Sequence, residues 1–348
     1  MLNVNGAIGI SDFEELIIFL ILPISYNTFY FLFKNNNLKL KKTILFLSVF
    51  LILSGIPFLL GIIEPVSAFN EVRLDFAKSY EMNSAMLVGF FKHPALSSLI
   101  FVFSTVIVWV IGFKENKSKK LVFLFLCFLG CYEVYRAFTR TGWILLVLFP
   151  FIFLFFNENY SKTKKTRIIC LLLLGVTLVY SSSQVIQNRV LSQRENSFNQ
   201  SSNITTKLTS GRDLVIALSL DAIISRGNMA IFFGLGKKAA LEITGGTLAH
   251  NRFVEIFVYG GLKSLIIYLF YLFYLLKEIL KRKVKNNVYI LSVSLYVMML
   301  ISLLPSHGLP LWGDVLFGGV IALNRISYEL KNKTQKNENL PRYKSKFV

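Results

Sequence analysis

The residues of this sequence best suited to chemistry begin with a histidine that stands directly before a long apolar run. His250, one of three histidines, is followed by Asn251 and Arg252. If a helix begins there, its free backbone N–H groups and its dipole favour anions and disfavour an imidazolium. Arg252 adds a positive charge, so both effects favour the neutral imidazole, the form that accepts a proton. This pattern suits a general base that activates a hydroxyl, and a capping histidine without chemistry fits it as well.

Arginines near the ends of other apolar runs indicate an anionic ligand. In AFTRTGW, Arg140 stands at the end of an apolar run, with Arg136 one helical turn earlier on the same face. An arginine at membrane depth costs about 2.5–3.5 kcal/mol, so Arg136 is expected to face protein or water, the alternative being a structural pair with Glu133. Arg212, in SGRD, is predicted to stand at a helix start capped by Ser210, where a guanidinium and free N–H groups together can hold a phosphate.

Two further segments place histidines at the ends of apolar runs. In GFFKHPALSS, Lys92 and His93 precede Pro94, a residue that also suits an ordinary first helical turn. In LPSHGLPLWGD, His307 and Asp314 are candidates for the same pocket, although proline and glycine here favour a simple tight turn.

Nine apolar runs must position these residues. Apolar residues form 54% of the chain, which contains 33 phenylalanines. A membrane-spanning helix needs about 20 successive residues that are mostly apolar. The first fifteen residues lack the basic region of a cleaved signal peptide. The sequence therefore predicts an all-α, polytopic membrane protein with about nine transmembrane helices, at roughly 16–33, 43–63, 95–113, 121–138, 141–156, 168–183, 253–276, 288–304 and 311–326.

The basic residues predict the orientation of these helices. With nine spans, 24 of the 38 Lys and Arg residues fall on one side, and half of the others lie in one long loop. The positive-inside rule then places the C-terminus in the cytoplasm and the N-terminus outside, with all three histidines on the extracytoplasmic side. The net charge of +19 is explained by this rule together with anionic lipid, so no nucleic-acid partner is expected.

The chain is expected to form one integral membrane domain. Six helices occupy residues 1–183, a large extracytoplasmic loop with short helices occupies 184–250, three helices occupy 251–326, and a basic cytoplasmic tail occupies 327–348. Three cysteines inside predicted spans show neither a zinc pattern nor a disulfide framework. A Gly-Leu-Gly at 234–236 lacks the strand and the spacing of a nucleotide-binding loop. No metal or cofactor is therefore expected.

Taken in order, these motifs resemble the O-antigen polymerase and O-antigen ligase superfamily over roughly residues 83–320. The similarity starts with GFFKHP and TRTGW, continues with SGRDLVIALSLDAI and FGLGKKAALE in the large loop, and ends with His250-Asn251 and Gly261. Ligases commonly continue the last motif with Gly-x-x-Gly, whereas this chain has Leu262-Lys263-Ser264 after Gly261 and no tryptophan follows. This departure favours a polymerase over a ligase.

The resemblance implies a GT-C-like membrane enzyme of the cytoplasmic membrane that acts at its outer face. It implies an undecaprenyl-pyrophosphate-linked glycan as donor, a sugar hydroxyl as acceptor, and a chain-length regulator as a further partner. Arg140 and Arg212 would hold the donor pyrophosphate, and His250 would assist the attacking hydroxyl. The substrate is expected to contact further polar residues near these three: Lys92, His93, Arg136, Ser210, Asn251 and Arg252.

Two alternatives remain open. A ligase would transfer the finished polymer to lipid A–core instead of to another lipid-linked repeat unit. A flippase for the same lipid-linked glycans is the alternative from another class, although transporters place repeats, broken helices and charges near the membrane midplane. The clearest cluster of ionisable residues in this chain lies instead at the outer ends of the spans and in the long loop.

Overall fold

The computed structural model describes residues 10–63, 94–113, 117–183, 212–243, 251–283, 286–304 and 311–338, together with Leu87, Phe90, Ile186 and Gln187. Every regular element in this part of the chain is helical, which confirms the predicted all-α class. The helices are α1 (Ile10–Phe33), α2 (Asn37–Leu53), α3 (Ile56–Leu59), α4 (Pro94–Ile107), α5 (Lys120–Ala137), α6 (Arg140–Phe156), α7 (Lys162–Ser182), α8 (Arg212–Ile224), α9 (Asn228–Phe233), α10 (Lys237–Ile243), α11 (Arg252–Lys281), α12 (Asn287–Leu303) and α13 (Leu311–Glu338).

Four helical stretches of the described chain are long and apolar enough to cross a membrane. They are Asn37–Leu59, Pro94–Phe113, Lys162–Ser182 and Arg252–Lys281. Shorter apolar helices occur at Leu20–Phe33, Arg140–Phe156 and Asn287–Leu303. The chain is thus a helical protein with membrane-spanning segments, while the count of nine spans and their orientation stay predictions.

The core of the bundle lies around α4 and α12. Every residue of α4 from 97 to 107 is buried, as expected of a helix that is apolar on all sides and has helices around it. A π-helical turn, Val108–Phe113, continues α4, and its Trp109 contacts the rings of Phe149 and Phe153 on α6 edge-on at 5.5 and 5.1 Å. By contrast, no residue of α7 is buried, which is typical of a helix surrounded by lipid.

A polar cluster joins the first described helix to the last. Arg325 on α13 donates to the Glu329 carboxylate and to the Tyr26 hydroxyl, each at 2.8 Å. The Tyr30 hydroxyl donates to Glu329 at 3.0 Å, and the Arg325 guanidinium lies 3.7 Å from the centre of the Tyr30 ring. Since cation and carboxylate share these hydrogen bonds, the cluster fixes α1 against α13 and closes the bundle.

An exposed ion pair brings two connections together. Lys283, which follows α11, lies 2.9 Å from Glu158, in the connection between α6 and α7. The positive-inside count assigns both connections to the cytoplasmic side. An exposed pair of this kind adds little to stability, but it places the two connections next to each other.

We expect the cytoplasmic assignment to be visible in cysteine labelling. In a protein whose native cysteines are replaced, single cysteines at Glu158 or Lys283 should react with a membrane-impermeant maleimide only after the membrane is opened. A cysteine at Arg226, exposed between α8 and α9, should react in intact cells. Labelling of Glu158→Cys in intact cells would show that the orientation is the reverse.

Candidate functional site

The two arginines of the first predicted cluster lie on either side of a helix break. α5 ends at Ala137, Phe138 takes a left-handed conformation with φ 55°, and Thr139 is extended. The Thr139 hydroxyl then accepts a hydrogen bond from the Gly142 N–H at 3.3 Å and caps α6. The prediction that Arg136 and Arg140 share one helical face is therefore wrong. Arg136 lies in the last turn of α5, and Arg140 is the first residue of α6.

The start of α4 holds this break in place. The Thr139 hydroxyl donates to the Ser98 hydroxyl at 2.6 Å, and a Cβ on Gly142 would lie only 2.8 Å from the Ser98 Cβ. The Trp143 indole N–H donates to the Val134 carbonyl at 3.3 Å. These contacts give Thr139, Gly142 and Trp143 of the TRTGW motif defined structural roles.

Leu87, which comes before α4 in the chain, also reaches the break between α5 and α6. The Leu87 backbone N–H donates to the Arg136 carbonyl at 2.8 Å, and Leu87 is buried. Phe90 contacts the Phe58 ring edge-on at 4.7 Å. Leu87 and the start of α4 thus both contact the region where α5 ends and α6 begins.

Arg136 does not form the alternative pair with Glu133. Its guanidinium donates to the Tyr132 hydroxyl at 3.1 Å, and its buried Nε has no hydrogen-bond partner among the described residues. Glu133 is fully buried, and its carboxyl oxygens likewise have no hydrogen-bond partner there, because the side chain points towards Gly55 at the end of α2. Arg136 therefore keeps donor capacity for an anion.

The start of α6 adds to the attraction for an anion. Arg140 is partly buried and stands in the first turn, where free N–H groups and the helix dipole create positive potential. A cation in this position is unfavourable by itself, whereas an anion bound there gains from both the helix and the guanidinium. Arg136 and Arg140 together make the α5–α6 break a candidate diphosphate site.

The predicted site residues at the start of α11 have clear structural partners. The Asn251 side-chain oxygen accepts hydrogen bonds from Phe253 N–H at 3.1 Å and Val254 N–H at 3.2 Å. Asn251 is therefore the N-cap of α11. The substrate contact predicted for Asn251 would have to be made by its side-chain amide nitrogen.

Arg252, which is predicted to contact substrate, is buried beside an acidic residue. Its guanidinium lies 3.8 Å from the Glu255 carboxylate, and both side chains are buried. Asp314, buried in the first turn of α13, interacts with the same charge, and Tyr268 lies within hydrogen-bonding reach. A buried charge needs such partners, so the structure assigns Arg252 to fixing α11 against α13.

Substitution of Asn251 separates capping from substrate contact. Because aspartate caps as well as asparagine, Asn251→Asp should keep the thermal midpoint of the wild type, whereas Asn251→Ala should lose about 1 kcal/mol of stability. Thermal unfolding in detergent, with glycan synthesis measured in parallel, checks this. An Asn251→Asp protein that is stable but inactive would show that the amide nitrogen binds substrate.

α11 is broken at a glycine. Gly261 has φ 71° and ψ −174°, so the helix kinks there, ten residues after the Asn251 cap. A kink removes helical hydrogen bonds across it and frees carbonyl groups. The carbonyls of Val258 and Tyr259 instead accept hydrogen bonds from the N–H groups of Leu235 and Gly236, at 2.8 and 3.0 Å.

The loop that fills the kink is the FGLG segment between α9 and α10. A Cβ on Gly261 would overlap the Phe232 carbonyl, and one on Gly234 would overlap the Tyr259 carbonyl. Both glycines also have positive φ, a region that favours glycine. The Gly-Leu-Gly sequence is thus a backbone-to-backbone docking element, and it joins two motifs that the sequence places far apart.

The short helices α8, α9 and α10 pack on the first half of α11. Five buried side chains form this contact: Ile223, Ala230, Leu235, Ala240 and Val258. Arg212 is the first residue of α8, in agreement with the helix predicted there. The segment that carries Arg212 is therefore attached to the helix that follows His250 and Asn251.

Several predicted site residues lie outside the described residues. They are Lys92, His93, Ser210, His250 and His307, and of Arg212 only the backbone is described. Among the side chains that are described, no cluster of three or more His, Cys, Asp or Glu residues is arranged to hold a metal ion. The structure thus places Arg136 and Arg140 on either side of the α5–α6 break, and it brings Arg252 together with Glu255 and with Asp314, a residue distant in sequence.

Comparison of this chain with models of protein families, with curated proteins and with solved structures finds no match.

Proposed function

We propose that this chain is a glycosyltransferase that polymerises a lipid-linked glycan at the outer face of the cytoplasmic membrane. The donor would be a glycan on undecaprenyl pyrophosphate, and the acceptor a sugar hydroxyl of another lipid-linked repeat unit. The observation that carries the proposal is the α5–α6 break, where Arg136 ends one helix and Arg140 begins the next. Two guanidinium groups and a helix N-terminus suit a diphosphate at a membrane surface.

In the proposed reaction, the acceptor oxygen attacks the anomeric carbon of the donor sugar. The new C–O bond forms as the bond from that carbon to the pyrophosphate oxygen breaks, and undecaprenyl pyrophosphate leaves with the electron pair. The acceptor proton passes to His250. Charge builds up on the departing diphosphate, so cations placed around it stabilise the transition state more than the ground state.

The arrangement around α11 supports a shared site for the remaining residues. α8, which begins at Arg212, packs on the first half of α11, and α11 begins directly after His250-Asn251. In the proposal, Arg212 and Arg140 hold the diphosphate while His250 faces the acceptor. The substrate is proposed to contact Lys92, His93, Arg136 and Ser210. Arg252 is proposed to position α11.

The glycan profile of a strain that lacks the gene tests this proposal. A polymerase predicts that single repeat units accumulate and that the ladder of longer chains is lost. Full-length polymer that stays on its lipid carrier would instead identify a ligase. Lipid-linked repeat units retained on the cytoplasmic side would identify a flippase and refute glycosyl transfer by this chain.

A further inference from the structure

The short helix α9 exposes an apolar face beside a membrane-spanning helix. Met229 and Phe232 lie one turn apart, with 64% and 48% of their surface exposed. The Phe232 carbonyl directly contacts Gly261, and the next residue of α11, Leu262, is itself exposed. The backbone of α9 therefore lies against α11 at the kink, and both helices carry exposed apolar side chains near it.

The position of Gly261 along α11 sets the depth of α9. Lys277 is the first charged residue after Lys263 in α11, and it marks the far boundary of the apolar stretch. Counting back about 20 residues, the length that crosses the hydrocarbon region, reaches Phe257. Gly261 then lies about 6 Å inside the outer boundary at 1.5 Å per residue, and so does Phe232.

The backbone of the docked loop satisfies the conditions for such a depth. Irregular backbone is tolerated in the hydrocarbon region only where protein satisfies its polar groups. Gly234, Leu235 and Gly236 are all buried. Their N–H groups donate to carbonyls of α9 and of the kinked α11, at 2.7 to 3.0 Å.

The charged residue of α11 that is nearest in sequence to Gly261 also contacts protein. Lys263, two residues beyond the kink, places its ammonium 4.5 Å from the centre of the Phe233 ring. An aromatic face stabilises a cation that has lost part of its water. The contact directs Lys263 towards Phe233 of α9, whereas Met229 and Phe232 are exposed apolar residues of that helix.

We propose that α9 is inserted into the outer leaflet and that Met229 and Phe232 contact lipid acyl chains. The position of α9 against α11 favours lipid over a protein partner, because α11 is long and apolar enough to span a membrane and exposes apolar side chains such as Ile267 and Phe270 beyond the kink. In water the same side chains would cost about 25 cal/mol for each Å² exposed. The segment between the spans is thus anchored in the membrane through α9.

Spin-label accessibility tests this insertion. Single cysteines at Met229 or Phe232, in a full-length protein without native cysteines, are labelled and reconstituted in phosphatidylethanolamine–phosphatidylglycerol vesicles. Collision rates with molecular oxygen, which concentrates in lipid, and with a water-soluble nickel chelate are then compared. The oxygen-to-nickel ratio at both positions should match that at Ile267→Cys and exceed the ratio at Glu242→Cys several-fold, since Glu242 is exposed on α10.

Two outcomes would overturn the proposal. High nickel accessibility at Met229 and Phe232 would place α9 in water, and low accessibility to both reagents would show that protein covers it. Two positions are used so that a label that disturbs folding at Phe232 does not decide the result. Lipid contact does not depend on the proposed glycosyl transfer, so the same ratios are expected when His250→Ala is added.

Discussion

Arg140→Ala is expected to lower polymer synthesis by about 100-fold or more, the usual effect of removing one donor to a developing oxyanion. The amount of inserted protein should stay unchanged, because a cation in the first turn of α6 does not favour the helix. Arg140→Lys keeps the charge but loses the planar pair of donors. Its polymer synthesis should lie between that of the wild type and that of Arg140→Ala. Chain-length ladders from whole cells, normalised to membrane-inserted protein, measure the effect.

A matched control comes from another arginine of the same chain. Arg167, exposed near the start of α7, belongs to the group of basic residues predicted to face the cytoplasm, and Arg167→Ala should leave the ladder unchanged. Normal ladders with Arg140→Ala would remove Arg140 from the pyrophosphate site. A loss of inserted protein in that variant would instead point to a packing role.

Gly261→Ala should have the largest effect on stability of any single methyl addition at the kink. The backbone angles at Gly261 belong to a region that is almost limited to glycine, and the added Cβ would overlap the Phe232 carbonyl, which is backbone and cannot rotate away. The combined cost is expected to reach about 3 kcal/mol or more in the free energy of unfolding. It should appear as a thermal midpoint lower by about 4 °C or more.

Gly175→Ala is the control for this substitution. Gly175 lies in α7, and a Cβ there would meet nothing within 4 Å. Alanine has the higher helix propensity, so this variant should keep or slightly raise the midpoint. Equal midpoints for Gly261→Ala and Gly175→Ala would show that the kink and its docked loop are not tightly packed.

The helices of this fold were predictable, but the breaks within and between them were less so. The predicted spans largely coincide with helices because their apolar runs are long, although 43–63 is divided between α2 and α3. The run itself does not show where a helix breaks or kinks. Gly260-Gly261 inside an apolar run was the available signal for the break in α11, since paired small residues often mark kinks. The break at Thr139 depends on its contact with Ser98 on α4, which no local pattern shows.

The types of residue in the candidate site were predictable, but the contacts that these residues make with other side chains were less so. The prediction that Arg136 and Arg140 share one helical face followed from their spacing, whereas the break after Ala137 places them on two different helices. The pairing of Arg252 with Glu255 is local, yet its link to Asp314 requires α11 and α13 to meet. The alternative of a pair between Glu133 and Arg136 followed from spacing alone, whereas the Glu133 side chain lies against Gly55, which follows α2.

Reconstitution tests the central claim most directly. The purified full-length chain, in vesicles that contain an undecaprenyl-pyrophosphate-linked oligosaccharide and a chelator of divalent metals, is expected to produce longer lipid-linked glycans. One undecaprenyl pyrophosphate should be released for each glycosidic bond formed, and Arg140→Ala or His250→Ala protein should release almost none. Donor that is recovered unchanged in length, with no undecaprenyl pyrophosphate released by the wild-type chain, would contradict the proposed glycosyl transfer.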